Sequence, residues 1–175
     1  MARGLQRLEK ELVSQILIIR SAVPTRDLGF LPGDMDEKID PFADAYDHLA
    51  SQISPKMNYN ALVSKGIIKF VSTSFLRGVT FDDAYILVDE YQNMSAHELH
   101  TVATRVGQSS ELVVCGDSDQ SDLRGAESRE HSAIIQVLER MLDNEDGPVF
   151  GIHRFGIEDI VRSGFVRAYY EARAT

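Results

Sequence analysis

Apolar residues in this chain fall into two rhythms. Short continuous runs at residues 16–19, 67–71, 85–88, 112–115 and 149–152 are rich in Ile and Val. Their brevity and β-branched content predict five buried strands rather than helices. Between them the apolar positions recur three and four residues apart: Leu5, Leu8 and Leu12; Ala96, Leu99, Val102, Ala103 and Val106; Ile134, Ile135, Val137, Leu138, Met141 and Leu142. That spacing lays one apolar stripe along a helix. Strand and helix alternate, which predicts an α/β fold with a mostly parallel sheet. Ser95 with Glu98 three residues on forms a capping-box pattern that opens the helix after the third strand.

Two segments break the rhythm. Gly29 and Leu31-Pro32-Gly33-Asp34 bring turn residues together, and the stretch that follows to about Ala50 is acidic and amphipathic, which predicts an ordered insertion. Asp143-Asn144-Glu145-Asp146-Gly147-Pro148 reads as a solvated turn, since its spacing does not match a calcium loop.

Composition narrows the choice of class. With 175 residues, 43% of them hydrophobic, residues 1–175 are expected to form one globular domain around one core. The net charge of -9 excludes a surface that traps nucleic acid everywhere, so any phosphate contact must come from a local cluster. The lone Cys115 excludes an intrachain disulfide and a cysteine-built zinc site, and a reducing, cytoplasmic setting is expected. Its neighbours Val113 and Val114 predict that it packs in the core rather than acting as a nucleophile. Residues 1–11 are too charged for a signal peptide, and no apolar run nears the roughly 20 residues of a membrane-crossing helix.

Candidate chemistry gathers at two strand ends. Tyr85-Ile86-Leu87-Val88 runs straight into Asp89-Glu90, and Leu112-Val113-Val114-Cys115 into Gly116-Asp117, with Gln92 and Gln120 close behind. Nucleotide sites in open α/β sheets form at such ends. In a nucleotide site, Asp89 would hold Mg²⁺ directly or through water, because a hard cation prefers oxygen ligands; Glu90 would orient and deprotonate an attacking water. Gln120 would bond a γ-phosphate or that water, and Asp117 would orient a partner or the metal's water shell. Two ordinary polar turns are the alternative. His97 and His100 lack a third ligand, so no zinc is assigned, and Ser21, Ser72 and Ser74 lack a base and its orienter. Arg20, Arg26, Arg77, Arg105, Arg154 and Arg162 are candidate cations that the sequence does not rank, each also readable as a surface ion pair.

These residues resemble a known family. Asp89-Glu90-Tyr91-Gln92-Asn93 is similar to the Asp-Glu-Ala-Gln-Asn Walker B region of PhoH-like ATPases, relatives of the superfamily 1 helicase core. Arg20-Ser21-Ala22-Val23-Pro24 and Leu28-Gly29-Phe30-Leu31-Pro32-Gly33-Asp34 match the family's upstream motifs. Phe75-Leu76-Arg77-Gly78, Thr104-Arg105-Val106-Gly107, Gly116-Asp117 with Gln120 and Asp122-Leu123, and Asp159-Ile160-Val161-Arg162 keep its downstream order. The resemblance implies a RecA-like P-loop NTPase sandwich of three layers that couples hydrolysis of ATP, with Mg²⁺, to work on RNA or another single-stranded nucleic acid. It implies catalytic roles for Glu90, Gln120 and Arg162, nucleotide contacts from Asp89, Gln92, Asp117 and Arg105, and a homo-oligomeric ring across which Arg105 or Arg162 acts. Arg77 and Gly78 suggest a nucleic-acid backbone contact. The Arg-Ser-Ala-Val and Asp-Ile-Val-Arg-Ser patterns resemble phage members, which implies a host cytoplasm.

The departures are as informative. No G-x-x-x-x-G-K-[ST] loop occurs in the 175 residues, and Tyr91 stands where the family has a small residue. The loop and the strand feeding it are expected to be missing, with Met1 falling inside the helix that follows. In the resembling fold that strand is central, so its loss is expected to leave two unpaired strand edges. A chain of this kind, without catalysis, would serve as an oligomerisation or partner-binding module.

Overall fold

Two of the predicted strands are closed off from water almost entirely. In the computed structural model, β1 (Gln15–Arg20) is buried from Ile16 to Ile19 and β3 (Ala84–Val88) at every residue. Such runs survive only where both faces of a sheet are covered. The structure describes residues 1–20, 35–55, 57–73, 76, 78–117, 120, 121, 123, 125–141 and 151–173, with residues 35–43 by their backbone.

β1 and β3 pair in parallel, Ile18 opposite Leu87 and Ile19 opposite Val88. β2 (Ile68–Ser72) joins the other side of β1, and β4 (Glu111–Val114) the other side of β3, so the order is β2-β1-β3-β4, all parallel. Both outer strands are only half buried along most of their length, as edge strands are. The pairing is contiguous. Among the described residues the outer strands are therefore β2 and β4. Of the fifth predicted strand, residues 149 and 150 lie outside the described residues, and Gly151 and Ile152 join no strand; Ile152 is exposed and gains nothing from burial.

The period of two along a strand divides the core. Ile16, Ile18, Tyr85 and Leu87 gather with Leu5 of α1 (Ala2–Glu9), Tyr46 and Ala50 of α2 (Met35–Ile53) and Tyr59 of α3 (Tyr59–Ser64). α1 approaches closely at Gly4, where a Cβ would meet the Tyr85 ring at 2.7 Å. Arg3 and Arg7 also reach Glu111 at the start of β4. Leu17, Ile19, Ile86 and Val88 point to the opposite face and are equally buried, so the sheet is the middle of three layers. The acidic stretch that ends near Ala50 is helical as expected, while the turn residues before it lie outside the described residues.

α4 (Ala96–Ala103) opens with the predicted capping box: Glu98 N–H donates to Ser95 Oγ at 3.2 Å, and Ser95 N–H to Glu98 Oε2 at 2.8 Å. Glu98 Oε1 also accepts from Thr73 Oγ1 at 2.5 Å, so one carboxylate ties the end of β2 to the start of α4. At the far end of α4 the Thr104-Arg105-Val106-Gly107 motif pins the return to β4. Phe81 N–H donates to the Arg105 carbonyl and Gly107 N–H to the Phe81 carbonyl, both at 2.9 Å.

The chain divides into two compact units, residues 1–134 and 135–175, with the boundary inside α5 (Ala126–Arg140). The second contains the end of α5, a 3-10 turn (Ile157–Asp159) and α6 (Gly164–Arg173). Asp159 caps its own turn by accepting from Gly156 N–H at 2.8 Å, and Arg154 pairs with Glu139 at 2.6 Å.

Two outcomes test this packing. Ser95→Ala removes one half of the capping box and is expected to cost about 1 kcal/mol in urea unfolding. Burial pushes the Tyr59 and Tyr85 phenols up to about 12, and burial with the nearby Asp89 carboxylate raises Tyr46 as well. Unfolding returns these phenols to about 10, so the raised values favour the native state while the groups stay protonated. That stabilisation is intact below about pH 10 and is lost as pH rises through about 12, a fall that urea midpoints measured across this window would record.

Candidate functional site

Three parallel strands deliver their carboxyl ends to one place. Arg20 closes β1, Asp89 and Glu90 follow β3, and Cys115, Gly116 and Asp117 follow β4. The ladder continues briefly past the strands: Asp89 N–H donates to the Ile19 carbonyl at 3.0 Å and Tyr91 N–H to the Cys115 carbonyl at 3.1 Å. Backbone pairing therefore holds the two carboxylate loops side by side.

Asp89 and Glu90 are adjacent and both reach the Arg20 guanidinium, while each has its own further partner. Glu90 takes a left-handed conformation, φ 55° and ψ 42°, which costs a non-glycine residue about 1–2 kcal/mol. Asp89 Oδ2 accepts from Tyr46 Oη at 2.5 Å and faces Arg20 Nη2 at 3.5 Å. Its Oδ1 takes part in no hydrogen bond or ion pair among the described residues. Glu90 Oε1 lies 3.8 Å from the same guanidinium, and its Oε2 accepts from Gln92 Nε2 at 2.6 Å. The Glu90 side chain keeps 46% of its surface in solvent, so water reaches it.

Gln92 is the joint between the loops. It is 1% exposed and uses both ends of its amide, donating to Glu90 while its Oε1 accepts from Asp117 N–H at 3.1 Å. Gln120 Nε2 donates to Asp117 Oδ2 at 2.8 Å, and Ser121 Oγ to the Gln92 carbonyl at 2.9 Å. The result is one chain of polar contacts, Arg20 to Glu90 to Gln92 to Asp117 to Gln120, across three strand ends. Gly116 is required at the crossing: a Cβ there would collide with Gln92 Oε1 and come within 3.0 Å of the Tyr91 nitrogen. Tyr91 stacks on His131 of α5 at 5.6 Å between ring centroids, and His131 Nδ1 lies 2.8 Å from the Met94 carbonyl.

The structure thus brings together Asp89, Glu90, Gln92, Asp117 and Gln120. Arg105 is elsewhere, beside Phe81 at the opposite end of β3, with Nε buried and unpartnered among the described residues. Arg162 is exposed in the C-terminal unit, and Arg154 is engaged with Glu139. Gly78 is exposed beyond β2, while Arg26, Arg77 and Asp122 lie outside the described residues. His97 and His100 are exposed on α4. Cys115 corrects an expectation: it sits one residue past β4 and is exposed rather than packed in the core. Partial desolvation and the Asp89 charge still raise its pKa, which opposes thiolate formation.

Two participants carried no signal of their role. Tyr46 lies on the apolar face of α2, one turn from the buried Ala50, and its ring packs edge-on against Phe70 at 5.6 Å. That spacing announces a core residue and says nothing of a hydroxyl reaching Asp89. Arg20 was one arginine among six, and only the β1–β3 register singles it out.

Among the described residues, no three His, Cys, Asp or Glu side chains converge into a cage for a metal ion. Magnesium does not ask for one: it keeps several waters and is held through one or two carboxylates together with substrate phosphates. Asp89, with one oxygen engaged and the other open, fits such a site. α1 also begins nearby, its Met1 amino group within electrostatic reach of Asp89 and Cys115, with no side-chain cap on its first turn.

Comparison with known proteins identifies the family. The family model for "PhoH-like protein" matches residues 1–173. The chain is 38% identical over 145 residues to a PhoH-like protein of Mycobacterium leprae, covering 82% of this chain and 41% of that protein. It is 36% identical over 166 residues to Protein PhoH of Escherichia coli K12, covering 93% and 45%. Against a PhoH-like protein of Bacillus subtilis the identity is 32% over 173 residues, covering 97% and 52%. The chain spans about half the length of the curated relatives it matches. With a family model covering nearly all of its residues, an all-parallel α/β sheet and paired carboxylates at adjoining strand ends, the chain belongs to the PhoH-like family.

Proposed function

We propose that the chain supplies the carboxylate half of a Mg-ATP site in a PhoH-like ATPase core, both compact units belonging to that core. Hydrolysis there is coupled to work on RNA or another single-stranded nucleic acid. The observation that carries this reading is the unbroken polar path from Arg20 to Gln120 across three adjacent strand ends, with Asp89 and Glu90 sharing the Arg20 guanidinium at its start. Bound magnesium would supply positive charge at the phosphate oxygens. Asp89 would hold it. Glu90, wet and steadied by Gln92, accepts the proton of the attacking water, and Gln120 orients that water while tethered to Asp117. Gln92 acts through its neighbours, since its amide is spent on protein. The uncapped first turn of α1 adds a favourable dipole end for phosphate. Arg105 and Arg162, lying apart from the cluster or in the second unit, act across a ring interface, and Gly78 with Arg77 meets nucleic-acid backbone. No helix among the described residues is long and apolar enough to cross a membrane. The cytoplasm is the compartment we assign.

A second reading has its own observation behind it. The 175 residues contain no Gly-rich Lys-Ser/Thr loop, so they hold neither that loop's lysine nor its cradle of N–H groups for phosphates. On its own the chain then acts as an oligomerisation or partner-binding module.

Turnover separates the two. The 175 residues alone should show negligible ATP hydrolysis. Supplying the strand and Gly-rich loop of a PhoH-like relative, fused ahead of Met1 or mixed in, should restore Mg-ATP binding and hydrolysis. In that protein Glu90→Gln should lower kcat by about 100-fold or more while ATP binding is kept. A completed protein that fails to bind Mg-ATP sinks the first reading, and turnover indifferent to Glu90→Gln removes Glu90 from its role.

A further inference from the structure

The Asp89 carboxylate is held from one side only. Both of its contacts fall on Oδ2: the Tyr46 hydroxyl donates to it, and the Arg20 guanidinium faces it. Tyr46 itself has little freedom. It is 7% exposed, its ring is fixed against Phe70, and Ala50 packs one turn further along α2 in the same core. The backbone of Arg20 is fixed as the last residue of β1, opposite Ser72. Exchanging the two oxygens of this carboxylate by rotation would break both contacts.

We propose that Tyr46 is a positioning residue for the metal-binding carboxylate, fixing Oδ1 of Asp89 as the oxygen that faces a divalent cation. This rests on the reading that Asp89 holds magnesium. Outer hydrogen bonds of this kind orient ligands at metal sites, and their loss typically weakens metal binding about 10- to 100-fold. Arg20 adds to the same outcome, since its charge drains Oδ2 of attraction for a second cation. The phenol ring also fills the core, so the hydroxyl and the ring must be tested apart. Phenylalanine keeps the ring and removes only the donor.

The test uses the 175-residue chain and Mn²⁺ as a paramagnetic probe, read by broadening of backbone amide resonances and by electron paramagnetic resonance of the free ion. Wild type should broaden around residues 89 and 90, and Asp89→Asn should abolish it. Tyr46→Phe should weaken Mn²⁺ binding about tenfold with near-ultraviolet dichroism unchanged. If Tyr46→Phe binds Mn²⁺ as wild type does while Asp89→Asn loses it, the proposal fails and the magnesium reading stands. If Asp89→Asn binds equally well, or if wild type shows no broadening at Asp89 both alone and when completed with the strand and Gly-rich loop and loaded with ATP, the reading fails and the proposal falls with it. Should Tyr46→Phe lose its native dichroism, 3-fluorotyrosine incorporated throughout provides the second measurement. The fluorine resonance that responds to Asp89→Asn reports Tyr46, and Mg²⁺ must shift it with the affinity seen at Asp89; a resonance that Mg²⁺ leaves unmoved overturns the proposal.

Discussion

The parallel register of β1 against β3 is the constraint on which the rest depends. Ile19 stands opposite Val88, so the next residue of each strand, Arg20 and Asp89, emerges at the same level of the sheet. A slip of one residue would turn every side chain of β1 to the other face and would bury Arg20. The register is secured at the ends of the run: Ile16 to Ile19 are buried while Gln15 and Arg20 are only half buried, so a slip along the strand would draw one polar end into the core and push an isoleucine out of it. Hydrophobic packing, which knows nothing of chemistry, thereby decides which cation meets which carboxylate.

From that level the polar path is built by short-range devices, each costly in isolation. Glu90 adopts a left-handed backbone that its side chain disfavours, and the neighbouring contacts hold it there: Tyr91 N–H on the Cys115 carbonyl, Asn93 N–H on the Glu90 carbonyl, and the Gln92 amide on its carboxylate. Gln92 is buried among groups that satisfy it, which is the condition under which a buried amide stabilises rather than penalises. The stack of Tyr91 on His131 fastens the same turn to α5. The large residue at 91, where the family carries a small one, thus has a packing role. It leaves both carboxylates in place.

How much of this the sequence discloses depends on what kind of signal a residue sends. Four strands could be read because a short Ile- and Val-rich run has few other uses, and the Ser95–Glu98 box because its spacing is itself the mechanism. Asp89, Glu90, Asp117 and Gln120 could be read because an acid or amide just past such a strand lands at the carboxyl edge of the sheet. Cys115 misleads for the converse reason. An apolar run implies burial to its last residue, but β4 is an edge strand that stops at Val114, and the cysteine passes into the exposed loop. Tyr46 and the loss of Arg105 from the cluster are tertiary facts. The first depends on where α2 sets down 43 residues before Asp89, the second on α4 running back to the far end of β3.

Charge shows what the site still needs. Among the described residues the cluster contains Asp89, Glu90 and Asp117 against Arg20, an excess of two negative charges in a half-exposed setting. A polyphosphate brought there unaccompanied would be repelled, and no rearrangement of these side chains reverses the sign. Arg20 cannot serve both masters: its distances of 3.5 and 3.8 Å to two carboxylates make it their counterion, and moving it toward phosphate would leave them bare. On the proposed reading, a nucleotide would therefore need cations of its own there, a divalent ion for Asp89 and a fixed positive charge for the phosphates. Oδ1 is the oxygen left for the first of these, and the lysine loop that these residues do not contain is the ordinary source of the second.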